Sequence, residues 1–146
     1  MKLIIGCGNT DRSDDGAGIL VARRLRALGL NAVEHSGDGL ALIELWHGFD
    51  DVVVVDAMVS GAEPGSVTTW DPVSEPICLE NWRSSSHSFG PAEAIELARV
   101  IGRLPERIRI YGIEGAKFEP GVAPSTEVME AVDCVGRKIA GEISAG

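Results

Sequence analysis

The chain has 146 residues, a formal net charge of −9 and three cysteines, with 45% hydrophobic and 24% charged residues. That length fits one domain with enough buried surface to fold without a disulfide or structural metal. The acidic balance argues against a general nucleic-acid binder, whose affinity comes from cations meeting phosphates.

Leu3 to Gly6 reads as a buried first strand, too short and too soon glycine-rich to be a signal peptide. Gly16 to Leu28 reads as a helix. Ile19, Leu20, Ala22, Leu25 and Leu28 recur at helical spacing, Arg23, Arg24 and Arg26 supply the polar face, and Gly29 stops it. Asn31 to Glu34 is a short strand, and Leu40 to Trp46 a second helix closed by His47-Gly48. Val52 to Val55 is a continuous β-branched run, the mark of a strand buried on both faces. Val67 to Trp70 follows a Glu63-Pro64-Gly65 turn as another strand. Residues 71–89 read as a long loop, of the kind that is usually functional in a compact domain. Gly90-Pro91-Ala92-Glu93 opens a helix with proline at its first position. Ile108 to Ile113 is a strand, 114–124 a Gly/Pro loop, and Ser125 caps a final helix to about Ile143. No stretch approaches the ~20 apolar residues of a membrane span.

Strands alternating with helices predict a mostly parallel sheet covered on both faces, with ligands beyond the carboxyl ends of the strands. Three residues are expected at that rim. Asp15 leaves the first strand, Asp56 follows four apolar β-branched residues, and His87 lies in the long loop. Two carboxylates and an imidazole can hold a divalent ion and leave positions open for substrate. Each residue also has a plainer role. Asp14 and Asp15 can cap a helix, and either could do one job while its neighbour does the other. Asp56 is harder to explain that way, because a dry strand end demands a cation or hydrogen-bond donors. His35 and His47 are rival imidazoles to His87, and His47 suits a helix end.

Gly6-Cys7-Gly8 suggests a dinucleotide fingerprint, with Glu34 as the ribose acid. Asp11 stands where the third glycine belongs, and Asp11, Asp14 and Asp15 would repel a pyrophosphate. The Ser84–Ser86 run beside His87 has no Gly-x-Ser-x-Gly elbow, so a serine hydrolase is disfavoured. Cys7, Cys78 and Cys134 form no CxxC and no even framework. They are expected to be packing residues of a cytoplasmic protein, with Cys7 the one nearest the site. Trp46, Trp70 and Trp82 are expected in the core or at the rim.

The ordered set Gly6-x-Gly8-Asn9, Asp14-Asp15-Gly16-x-Gly18, Val52 to Ala57, Ser86-His87, and Phe118-Glu119-Pro120-Gly121 before Ser125 spans nearly the whole chain. It resembles the hydrogenase maturation proteases, which trim the C-terminal tail of the large subunit of nickel–iron hydrogenases. The resemblance implies a three-layer α/β/α sandwich with a mixed, mainly parallel sheet. It implies an endopeptidase whose catalytic and nickel-contacting residues are Asp15, Asp56 and His87. It also implies nickel supplied by the substrate, with no tightly bound metal of the protein's own. The implied partner is the immature large subunit, met by a cytoplasmic monomer with no nucleic-acid or membrane partner. The first acid is often glutamate in that family, one methylene longer than Asp15. Ser36-Gly37-Asp38-Gly39 departs from the Gly-Gly-Thr-type turn of many relatives, which bears on which hydrogenase is recognised. Two other readings are a nucleotide- or phosphate-binding α/β enzyme and a non-proteolytic nickel-dependent assembly factor.

Overall fold

The computed structural model of the protein describes residues 2–77 and 89–145. The strands are β1 (Lys2–Cys7), β2 (Ala32–His35), β3 (Asp51–Met58), β4 (Val67–Trp70) and β5 (Arg107–Glu114). The helices are α1 (Ala17–Ala27), α2 (Gly39–Trp46), α3 (Pro91–Ile101) and α4 (Thr126–Ala145). One sheet runs in the order β2-β1-β3-β5-β4, with β1, β2, β3 and β5 parallel and β4 antiparallel at the edge. This is the mixed, mainly parallel sheet expected.

Alternation within each strand sorts the layers. Leu3, Ile5, Val52, Val54, Ile108 and Ile110 face α2 and α3. Ile4, Val53, Val55, Tyr111 and Ile113 face α1 and α4. Both faces are apolar, which is why Val52 to Val55 reads as an unbroken run. The chain moves from β1 outward to β2 and then back across to β3. The point where that direction reverses, between the carboxyl ends of β1 and β3, is where sheets of this kind bind ligands.

Several boundaries differ from expectation for identifiable reasons. β3 runs on to Met58 because Ala57 and Met58 continue the ladder with Ile113 and Glu114. Asp56 therefore lies two residues inside the strand and not at its end. Thr10–Gly16 is a 3-10 segment, broken by non-helical backbone at Arg12 and Ser13, where a plain loop was expected. Leu28, placed on the apolar stripe of α1, is 67% exposed, because the helix ends at Ala27. Val21, not counted in that stripe, is fully buried. At α3, Glu93 accepts a hydrogen bond from the Gly90 N–H at 2.9 Å, as its position predicts.

The distance between α1 and the sheet is set by glycine. A Cβ on Gly18 would stand 2.3 Å from the Val55 carbonyl oxygen and 2.5 Å from that of Cys7. Both neighbours are backbone in the central strands and cannot swing aside. Gly18→Ala is expected to destabilise the fold by about 3 kcal/mol or more. At Gly29 no atom lies within 4 Å of a built Cβ, although φ is +85°. Gly29→Ala should therefore cost only about 1 kcal/mol from backbone strain. Urea unfolding of the two variants side by side checks the ranking, and equal losses would refute it.

Candidate functional site at the carboxyl rim of the sheet

The site is built from the exit of β1. Cys7 closes that strand with no exposure, and Gly8 follows at φ +139°. A side chain on Gly8 would meet the Asp15 carbonyl oxygen at 1.9 Å. The Asn9 N–H donates to that same oxygen at 3.2 Å, and the Gly8 N–H donates to the His35 carbonyl at 3.0 Å. The loop is thus wound back so that Asp15 sits directly over the end of β1. Ser13 adopts φ 55°, ψ −119°, a backbone state that costs a non-glycine residue about 1–3 kcal/mol. Its hydroxyl donates to the Ala123 carbonyl at 3.0 Å.

Asp14 and Asp15 are both fully buried, and their roles separate. The Asp14 carboxylate accepts hydrogen bonds from the N–H groups of Ala116 (2.8 Å), Lys117 (2.9 Å) and Ser125 (2.7 Å), and from the Ser125 hydroxyl (2.8 Å). The Asp14 N–H donates to the Lys117 carbonyl at 2.9 Å. Burial pushes its pKa up, but the N–H donors of Ala116, Ser125 and Lys117 and the Ser125 hydroxyl outweigh it, and the carboxyl ends below its usual range. Hydrogen bonds to a charged acceptor contribute about 1.5–3 kcal/mol each, so this set exceeds the strain at Ser13 and holds the turn. Ser125 does stand immediately before α4, but its hydroxyl is turned to Asp14.

Asp15 follows β1, and the second buried candidate, Asp56, lies on β3. Asp56 is 2% exposed. It alternates with Val54 and Met58 and so lies on the α2–α3 face. Its ladder partner is Gly112, which places no side chain beside it. Cys7 lies one step beyond the Gly6–Val55 pair, on the same face and level with Asp56. Burial first, and then the negative charge of Asp56, pushes the Cys7 thiol well above its usual range. A thiol opposed twice in forming its thiolate is a packing residue, not a nucleophile. Cys134, in contrast, is exposed on α4 and does not pack as expected. His87, Cys78, Trp82 and the Ser84–Ser86 run lie outside the described residues.

The remaining candidates take structural places. His35 ends β2, and its Nδ1 accepts the Gly37 N–H at 2.9 Å. His47 follows α2 and is exposed. Asp38 caps α2 by accepting the Ala41 N–H at 3.2 Å. Glu34 is exposed and pairs with Arg23 and Arg26, which leaves no ribose-binding acid at the end of β2. Trp46 is buried in the core and Trp70 packs against it. One rim residue has no expectation behind it. Glu114, 3% exposed, accepts the Ser60 N–H and hydroxyl (2.6 Å to the latter) and ties down the β3–β4 loop. The signal was present: an acid directly after the strand-like Ile108–Ile113 segment, as with Asp56 after Val55. Among the described residues no three His, Cys, Asp or Glu side chains form a metal cage.

A family model described as hydrogenase maturation protease matches residues 33–142. The hydrogenase 2 maturation protease of Escherichia coli K12 is 27% identical over 135 residues, covering 87% of this chain and 82% of its own length. The hydrogenase expression/formation protein HupD of Rhodobacter capsulatus is 26% identical over 122 residues, but the chain spans only 58% of its length. Among solved structures, the NiFe hydrogenase maturation protease HybD from Thermococcus kodakarensis superposes with a TM-score of 0.77 at 28% identity, covering 97% of both chains. The HybD endopeptidase of E. coli, at 22% identity and a TM-score of 0.75, shares the fold over 99% of this chain and 93% of its own.

Two outcomes follow from the separated roles. Asp14→Asn should lower the free energy of unfolding by about 3 kcal/mol. Because the folded carboxyl titrates below its unfolded value, its contribution is present above the unfolded value and is lost as pH falls through the folded one. The wild type should therefore lose stability below about pH 4, and the Asn variant should show a shallower acid limb in denaturant melts. In a Cys78→Ser background, a thiol reagent should label one cysteine, Cys134, in the native protein and two after unfolding. Rapid native labelling of Cys7 would contradict its placement.

Proposed function

The chain belongs to the hydrogenase maturation proteases, a family of hydrolases, and from that membership we propose that it removes the C-terminal tail of the nickel-loaded precursor of a nickel–iron hydrogenase large subunit. The observation that carries this reading is the pair of buried carboxylates, Asp15 and Asp56, at the β1/β3 switch point. Nickel enters as part of the substrate. Asp15 and Asp56, with His87, approach it through its open coordination positions, a donor set suited to a borderline divalent ion. Contact places the scissile carbonyl against the rim. There the ion polarises that carbonyl, or a carboxylate beside it takes a proton from the attacking water. The peptide bond is hydrolysed, and water supplies the hydroxyl to the new carboxyl end and the proton to the released amine.

The acidic first loop supports this over a phosphate-binding reading, since both carboxylates beside the start of α1 are buried there and would oppose a phosphate. As the resemblance implies, the protein acts as a cytoplasmic monomer on the immature large subunit. Its cysteine usage fits a reducing compartment. No described helix is long and apolar enough to cross a membrane.

The test is incubation with nickel-loaded, unprocessed large subunit, following release of the C-terminal peptide. Asp56→Asn keeps the shape of the side chain and removes its charge from a dry strand. It is expected to reduce cleavage about 100-fold or more, equivalent to about 2.7 kcal/mol, while the melting temperature stays level or rises. Near-normal cleavage by a folded Asn variant would remove Asp56 from the site.

A further inference from the structure

Asp15 is preceded by a kinked turn that is tied to a distant loop. Ser13, at φ 55° and ψ −119°, lies where residues with a side chain are rarely found. Local bonds close its first half, with the Asp11 N–H donating to Asn9 Oδ1 at 2.9 Å and the Arg12 N–H to the Asn9 carbonyl at 3.2 Å, but the side chains of Ser13 and Asp14 are tied to residues more than a hundred positions away. The Ser13 hydroxyl reaches the Ala123 carbonyl. The Asp14 carboxylate collects three N–H groups and the Ser125 hydroxyl. The Asp14 N–H returns a bond to Lys117. A Cβ built on Gly115 would come within 3.0 Å of the Asp14 Cβ, so the loop after β5 presses against this residue. On its other side Asp15 is met by Gly8 and by the Asn9 N–H.

We infer that Asp14 is the positioning residue for Asp15: its clasp on the 115–125 loop holds the kinked turn in the one arrangement that sets Asp15 over the end of β1. The two adjacent acids divide the labour, one spending its charge on the clasp so that the other keeps a fixed place at the rim. Ser125 belongs to the same device, because it supplies both an N–H and a hydroxyl to Asp14. The placement stands on geometry; its consequence for cleavage rests on the function proposed above.

The Asn9 amide reports the position of the Asp15 carbonyl directly, so hydrogen exchange tests the inference without an activity assay. In folded Ser125→Ala protein, exchange at Asn9 is expected to quicken at least tenfold, while the amides of Val53 to Val55 keep their wild-type rates. Ser125→Thr, which restores a hydroxyl, should restore protection. Asp14→Asn should show the larger effect, and if that variant fails to fold, Ser125→Ala decides alone. On nickel-loaded precursor, kcat/KM for Ser125→Ala should fall at least tenfold and recover in Ser125→Thr. Unchanged Asn9 exchange in a folded clasp variant would overturn the inference. A wild-type protein that releases no peptide would count against the proposed function, and the exchange result would still decide the clasp.

Discussion

The arrangement of the rim depends on how closely α1 lies against the sheet. Gly18 brings the helix backbone onto the carbonyl oxygens of Val55 and Cys7, with no room for a methyl group between them. A helix held that near leaves its incoming loop little height in which to turn. The loop therefore folds back over β1, uses Gly8 at φ +139° to pass under Asp15, and is kinked at Ser13. The same closeness strips water from residues 13 to 16, all of which are buried. Tight packing and the burial of two consecutive acids are thus one event.

Buried carboxylates are expensive unless something stabilises their charge. Four of them line this part of a chain with a net charge of −9: Asp14, Asp15, Asp56 and Glu114. Asp14 and Glu114 are satisfied by backbone N–H groups and serine hydroxyls, and each holds a loop. Asp14 binds the first loop to the segment before α4, and Glu114 binds the end of β5 to the β3–β4 loop. Asp56 lies on β3, and Asp15 lies in the segment that leaves β1.

Much of the fold is legible in the chain. Val52 to Val55 shows a strand covered on both faces, and the alternation of strands and helices shows a parallel sheet. What the chain hides are contacts between distant segments. Nothing local shows that Ala57 and Met58 continue β3, because their pairing depends on Ile113 and Glu114. Nothing local shows that Ser13 takes a positive φ, because its hydroxyl is bonded to Ala123 and the neighbouring Asp14 to Ser125. The stripe read for α1 failed at Leu28 for a simpler reason: the helix stops one residue earlier, and beyond it helical periodicity says nothing about burial.

The site shows the same division. Local pattern was enough to nominate Asp56, since an acid following four β-branched apolar residues must sit at a dry place near a sheet rim. It was enough to place the paired acids in the loop leaving β1, and the ordered motifs were enough to suggest the family. It could not separate Asp14 from Asp15, which have the same chemistry one residue apart. That choice was made by the tertiary structure, where the donors of Ala116, Lys117 and Ser125 reach one carboxylate of the pair and are consumed by it. Sequence by itself determined which residue types stand near the rim; only the fold decided which of them are spent on holding it together, because a hydrogen bond between residues 14 and 125 depends on distance in space and leaves no trace in spacing along the chain.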